Sequence, residues 1–131
     1  MKQNKLDKQY PVHLKQAVIW GDMDAFEHVN NTVYFRYFED ARMELFTQLG
    51  VMDHLKKTKV GPILASTRCD FRAPLSFPDE IVIGTWIDQM AEKRFTMHYR
   101  VHSLSQQCLV AEGEGLIVFY DYENKKSSAI P

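Results

Sequence analysis

Between Asp22 and Asn31 the chain reads D-M-D-A-F-E-H-V-N-N, which sets three carboxylates, an imidazole and two amides in ten residues. A carboxylate in such a loop can attack a carbonyl carbon or take a proton from water, and a positioned general base contributes about 10²–10⁴-fold to rate. Asp24 is the candidate for that work. Asp22 suits bonding of the turn's own backbone, as Asx residues do. His28 can orient the loop, bond a substrate or move a proton. Asn30 and Asn31 read first as a helix cap, because a short amide side chain satisfies the free N–H groups of a first turn.

Two elements must position this loop. Upstream, Val12, Leu14, Gln16, Val18 and Trp20 alternate with their neighbours and predict a first strand. Downstream, Tyr34, Tyr37, Phe38, Ala41, Leu45 and Leu49 recur at spacings of three and four, which puts them on one helical face. Phe35, Met43 and Phe46 widen that face, so the expectation is a central helix covered on most of its circumference. Gly50 stands where a left-handed cap closes it. At ~1.5 Å per residue, a helix from Asn31 to Leu49 is about 28 Å long.

Beyond the helix, Gly61-Pro62 opens a strand with Ile63, Ala65, Thr67, Cys69 and Phe71 on one face. Leu64, Ser66, Arg68, Asp70 and Arg72 take the other, so the strand is expected to be half-buried. Strands follow at 80–90, 94–102 and 108–120, joined by turns at 91–93 and 103–107. This order predicts an α+β fold, an antiparallel β-sheet wrapped around one long central α-helix. One domain over 1–131 is expected, with an ordered core of about 12–122, a frayed arm at residues 1 to about 11 and a polar, mobile tail at 123–131.

Composition removes several classes of function. The 131 residues are 45% hydrophobic, enough for one real core. Sixteen basic and 17 acidic residues give a net charge of −1, so no global field draws nucleic acid or an anionic membrane. A polyanionic ligand must find a local patch. The candidates are Arg68 and Arg72 on one strand face, Lys56, Lys57 and Lys59 before that strand, and Lys93 and Arg94 at a hairpin. No leader-like or membrane-spanning apolar run is present, which predicts a cytoplasmic chain. Cys69 and Cys108 lack C-x-x-C spacing and read as reduced thiols. His98 and His102 share a strand face too far apart for one zinc, so no metal site is expected.

Three stretches together resemble a known family. D-M-D-A-F-E-H-V-N-N-T-V-Y, then F-E-D-A-R, then D-F-R-A-P-L followed by D-E-I are similar to the hot-dog-fold acyl-CoA thioesterases, in the group of 4-hydroxybenzoyl-CoA thioesterase. The likeness runs from about Val12 to Tyr120. It implies a hot-dog fold, a homodimer or homotetramer with the active site at the dimer interface, and hydrolysis of an acyl-CoA to a carboxylic acid and free CoA. No cofactor is implied, since coenzyme A is part of the substrate. By the same resemblance Asp24 is the catalytic carboxylate, as nucleophile or general base, and the backbone N–H at Asn31 polarises the thioester carbonyl. A helix start suits that role, presenting unpaired N–H donors and a positive dipole end to a developing oxyanion. His28 completes the catalytic set, and Asn30, Tyr34, Arg68 and Arg72 are the substrate-binding candidates. Many members carry glycine where this chain has Glu27. Two alternatives stay open: a thioesterase acting on acyl carrier protein, and a non-catalytic acyl-CoA-binding module.

Overall fold

The computed structural model describes residue 6 and residues 8–131. Its elements are β1 (Val12–Ala17), a 3-10 turn (Trp20–Asp22), α1 (Asn31–Leu49), α2 (Val51–Thr58), β2 (Val60–Phe71), β3 (Glu80–Asp88), β4 (Arg94–Ser103), β5 (Cys108–Asp121) and the short β6 (Lys126–Ser127). All strand pairings are antiparallel in the order β1-β3-β4-β5-β2, with β6 added to β5. The two strands that flank the helices in sequence, β1 and β2, therefore form opposite edges of the sheet. To join them, α1 has to cross the concave face, and its apolar stripe explains why it stays there.

Tyr34, Tyr37, Phe38, Ala41, Leu45 and Phe46 are the buried residues of α1. They meet the inward residues of the sheet, among them Ile81, Ile83, Met97, Tyr99, Val101, Ala111 and Ile117. The ring of Phe38 stacks on Tyr99, with centroids 4.6 Å apart and planes 9° from parallel. Gly113 makes that approach possible, because a Cβ there would overlap the Phe38 ring and the Arg68 carbonyl oxygen. The glycine marks a close approach, one of the two roles its place in a strand allows. Gly50 ends α1 in the left-handed conformation at φ 71°, as its position predicts.

Four expectations need correction. Phe35, Met43 and Leu49 are 39%, 40% and 67% exposed, so α1 is covered on one face and open on the other. A single curled sheet has only one concave side to offer. Second, β2 is not half-buried along its middle: Ile63 through Arg68 are exposed on both faces, because the strand lies at an edge of the sheet, with α1 packed on its far end, where the Tyr34 and Phe71 rings are 5.1 Å apart. Third, of the arm expected to be frayed, residues 1–5 and 7 lie outside the described residues, while Leu6 and Tyr10 are fully and 95% buried against Val82. The Tyr10 hydroxyl lies 2.6 Å from His102 Nε2. Fourth, the tail is tied down, with Ser128 N–H donating to Phe119 O at 2.9 Å and Ile130 N–H to Glu92 O at 2.8 Å. Ordered structure thus extends past both limits of the expected 12–122 core.

Gly113→Ala tests how tightly helix and sheet are fitted. Overpacking at a backbone oxygen and a stacked ring costs about 1–3 kcal/mol. The expected outcome is a lower urea midpoint at unchanged slope; an unaltered midpoint would show that the Phe38–Tyr99 stack has slack.

Candidate active site

The loop between the 3-10 turn and α1 is a closed ring of backbone bonds. Met23 and Val29 form an isolated antiparallel bridge. Within it, Asp24 N–H donates to His28 O at 2.9 Å and Glu27 N–H to Asp24 O at 3.0 Å. Phe26 N–H donates to Asp24 Oδ1 at 2.9 Å, so the carboxylate is fixed by its own turn. Two bonds moor the loop to the chain after β2: Val29 N–H to Leu75 O at 2.7 Å, and Ser76 Oγ–H to Glu27 O at 2.9 Å.

The loop is also fastened to the helix it precedes. Asn30 N–H donates to the Asp22 carbonyl at 3.0 Å. The Arg36 guanidinium forks onto the Asp22 carboxylate, Nη1 reaching Oδ1 at 3.3 Å and Nη2 bonding Oδ2. Asp22's side chain is only 15% exposed, so this pairing also compensates a largely buried charge. The Asp22 carboxylate in turn holds Arg36 above its ordinary pKa. Asn30 is the N-cap, its Oδ1 accepting from Thr32 N–H at 2.9 Å and from Thr32 Oγ1 at 2.8 Å. Asn31 is therefore the first helical residue, and at that position its N–H has no acceptor inside the helix.

Asp24, His28, Asn31, Tyr34 and Arg72 line one open cleft of about 510 Å³, with Val29, Phe71, Ala73 and Pro74 as its remaining wall. Five of the seven candidate residues are thus brought together. Asn30 faces its cap partners instead, and Arg68 lies on the sheet beside Asp70 (2.6 Å) and Glu114 (3.0 Å). Arg72 reaches the cleft but is paired with Glu112 at 3.0 Å. Tyr34 is 3% exposed, and burial first, then Tyr37, pushes its phenol up to about 12, so it is a neutral wall residue. Asp24 also borders a second cleft of about 600 Å³ on the far side of the loop, lined by Trp20, Met23, Glu27, Ser76 and Phe77. Only the first cleft contains the helix start.

Sequence reasoning missed the Asp22–Arg36 fork, because the partners are fourteen positions apart and meet only when the loop folds back on the helix. The Phe71–Pro74 wall was visible as part of D-F-R-A-P-L but carried no geometric meaning there. Glu27 adopts φ 63°, the left-handed region that glycine occupies without penalty. The loop therefore keeps the conformation a glycine would take, with the glutamate side chain exposed.

With the geometry in place, the comparisons agree on one family. Residues 18–131 match the thioesterase-like superfamily, and the chain belongs to it. It is 27% identical to the gentisyl-coenzyme A thioesterase BH1999, whose structure superposes with a TM-score of 0.80 over 91% of this chain and 95% of that one. The PA2801 protein of Pseudomonas aeruginosa is 29% identical, with a TM-score of 0.83 over 92% of each chain. The YsmA protein of Bacillus subtilis is 26% identical over 117 residues, 88% of this chain and 76% of its own. The fold is the hot-dog fold and the protein is a thioester hydrolase. No helix among the described residues is long and apolar enough to cross a membrane.

Two outcomes test the loop. Glu27→Gly relieves a left-handed conformation costing about 1–2 kcal/mol in a non-glycine residue, and part of that gain is offset by glycine's larger unfolded-state entropy. Thermal stability is expected to rise slightly with activity retained; a loss of both would mean that the Glu27 side chain itself holds the loop. Cys69, half-buried near this wall, has its thiol pushed up to about 11 by burial and then by Asp70. Its alkylation in the native protein at pH 8 should be much slower than that of a free thiol and accelerate only as the pH climbs toward that value. Fast labelling at pH 8 would count against a buried thiol.

Proposed function

We propose that this protein hydrolyses an acyl-CoA thioester to a carboxylic acid and free coenzyme A, with Asp24 and the Asn31 N–H as the reacting pair. The observation that carries this reading is that Asp24 and Asn31, the first residue of a nineteen-residue helix, line one cleft. The helix end offers a donor and a positive dipole where negative charge develops on the carbonyl oxygen. One oxygen of Asp24 is held by Phe26 N–H, leaving the other to act. It either removes a proton from water as hydroxide adds to the carbonyl carbon, or adds directly to give a mixed anhydride that water then opens. In the first route the tetrahedral adduct collapses with loss of the CoA thiolate; in the second the thiolate leaves as the anhydride forms, and water then releases the acid and regenerates Asp24, so neither route requires a metal or redox cofactor. His28 also lines the cleft, and in this reading it bonds substrate or passes a proton to the departing sulfur. The likeness to a gentisyl-CoA thioesterase supports a CoA-type substrate.

The working unit in this reading is a homodimer. β2 is an edge strand of twelve residues, exposed on both faces from Ile63 to Arg68. An unpaired edge of that length seeks a partner strand. Beside it, Met43, Phe46, Met52, Ile63 and Leu64 line an apolar groove of about 370 Å³ that continues onto the open face of α1. A second copy, joined through the same surface about a two-fold axis, satisfies both features.

Thiol release from a panel of acyl-CoA thioesters tests the reading. Asp24→Asn should reduce kcat by about 10²–10⁴-fold, the range for loss of a general base or nucleophile. Asn31→Ala, which keeps the backbone N–H, should retain most activity. Full turnover in Asp24→Asn, or equal losses in the two variants at unchanged oligomeric state, would break the site assignment.

A further inference from the structure

The face of the sheet opposite α1 holds a buried titratable group that hydrolysis does not use. His102 of β4 is 3% exposed and lines neither of the clefts that Asp24 borders. What covers it is the segment before β1. The Tyr10 hydroxyl lies 2.6 Å from His102 Nε2, and the Tyr10 ring stacks on Trp86 of β3 with centroids 5.7 Å apart and planes 16° from parallel. Leu6, four residues earlier, is fully buried in the same cluster with Val82. The sheet is shaped for this ring, because a Cβ at Gly84 would overlap it. Gly84 is the floor of a socket whose walls are Trp86 and His102.

One proton decides whether that socket suits its occupant. A neutral imidazole pairs Nε2 with the Tyr10 hydroxyl in either tautomer, while Nδ1 is buried with no hydrogen-bond partner among the described residues. A second proton turns both nitrogens into donors and puts a charged N–H where no acceptor faces it. The other charged and titratable groups on this face bring no relief. Arg100, two residues away on β4, is itself a cation, and Glu112 of β5 stands opposite Arg100. On β1, Lys15 is opposite Val82 and pairs with Glu80 at 3.4 Å, and His13 is opposite Gly84. The Tyr10 phenol is pushed up by burial and stays protonated. Burial first, and then Arg100, holds His102 below its ordinary pKa.

We infer that the segment carrying Leu6 and Tyr10 is a proton-released latch: it docks on the sheet while His102 is neutral and withdraws when His102 is protonated, uncovering Val82, Trp86 and Leu104. The direction follows from linkage. The docked state binds the proton less well than the open one, so docking is at full strength above about pH 6.5, the ordinary histidine value. It weakens as pH falls below that value and levels off once docked His102 also titrates.

Thiol accessibility at position 6 tests the latch. In the full chain carrying Cys69→Ser, Cys108→Ser and Leu6→Cys, the introduced thiol is the only one and takes the place of a fully buried side chain. Its labelling by dithiodipyridine is measured at pH 7.5 and 5.5, each rate divided by that of free cysteine at the same pH. The ratio should rise several-fold at pH 5.5, with a ceiling of about tenfold for one pH unit below 6.5. Adding His102→Gln, which keeps a polar partner for Tyr10 but cannot charge, should abolish the rise. Adding Gly84→Ala instead fills the socket and should give fast labelling at both pH values. A ratio equal at the two pH values overturns the latch without any further variant. So does a rise that persists in His102→Gln, which would assign the proton to His13 or another group, or a thiol that stays protected in Gly84→Ala. Circular dichroism at pH 5.5 should retain the sheet signal; its loss in step with labelling would mean global unfolding and equally overturn the inference.

Discussion

The Arg36 guanidinium on the Asp22 carboxylate is the interaction on which the site depends. Asp22 also takes the Asn30 N–H on its carbonyl. One residue therefore fixes the acidic loop to the helix from both its backbone and its side chain. Asp24 follows two positions later and Asn31 one position after the cap, so their relative placement is inherited from this junction. The arrangement resists motion because releasing Arg36 would leave a carboxylate that is only 15% exposed without its counter-charge.

The core supplies the rest of the rigidity. α1 is pressed onto the sheet through Phe38 stacked on Tyr99 and over Gly113. Arg42 Nη1 donates to the Tyr99 hydroxyl at 3.1 Å on the same side. A helix held along its length presents its first N–H in a fixed direction, which is what electrostatic stabilisation of an oxyanion requires. The direction of the helix start and the packing of the core are thus one constraint expressed in the same element.

The chain is covered on one side and open on the other. Its convex face carries paired charges and its concave face is filled by α1, but β2 and the Phe35–Met43 side of the helix expose apolar groups and unpaired backbone. Two departures from the sequence expectation, the half-covered helix and the strand exposed on both faces from Ile63 to Arg68, occur on that side. They have a common cause, since periodicity marks which residues are apolar and not which body will cover them.

The sequence by itself determined the order of the long helix and the five main strands, the Gly50 cap and the loop that carries Asp24, His28 and the Asn cap. These are local properties, written in spacings of two, three and four and in the backbone needs of caps and turns. Val51–Thr58, which forms α2, reads in the sequence only as a mixed polar segment closing the long helix, and nothing there signals β6. The spacing also placed Tyr34 on the buried helical face. Only the tertiary structure decided that β1 and β2 become opposite edges and that Asp22 pairs with Arg36. It also drew Arg72 into the cleft while Arg68 remained among acids on the sheet. Those facts depend on contacts between residues far apart in the chain, and alternation along a strand cannot say which neighbour it will pair with. Glu27 lies between the two cases: its glycine-like backbone followed from the loop's ring of hydrogen bonds, not from its own residue type.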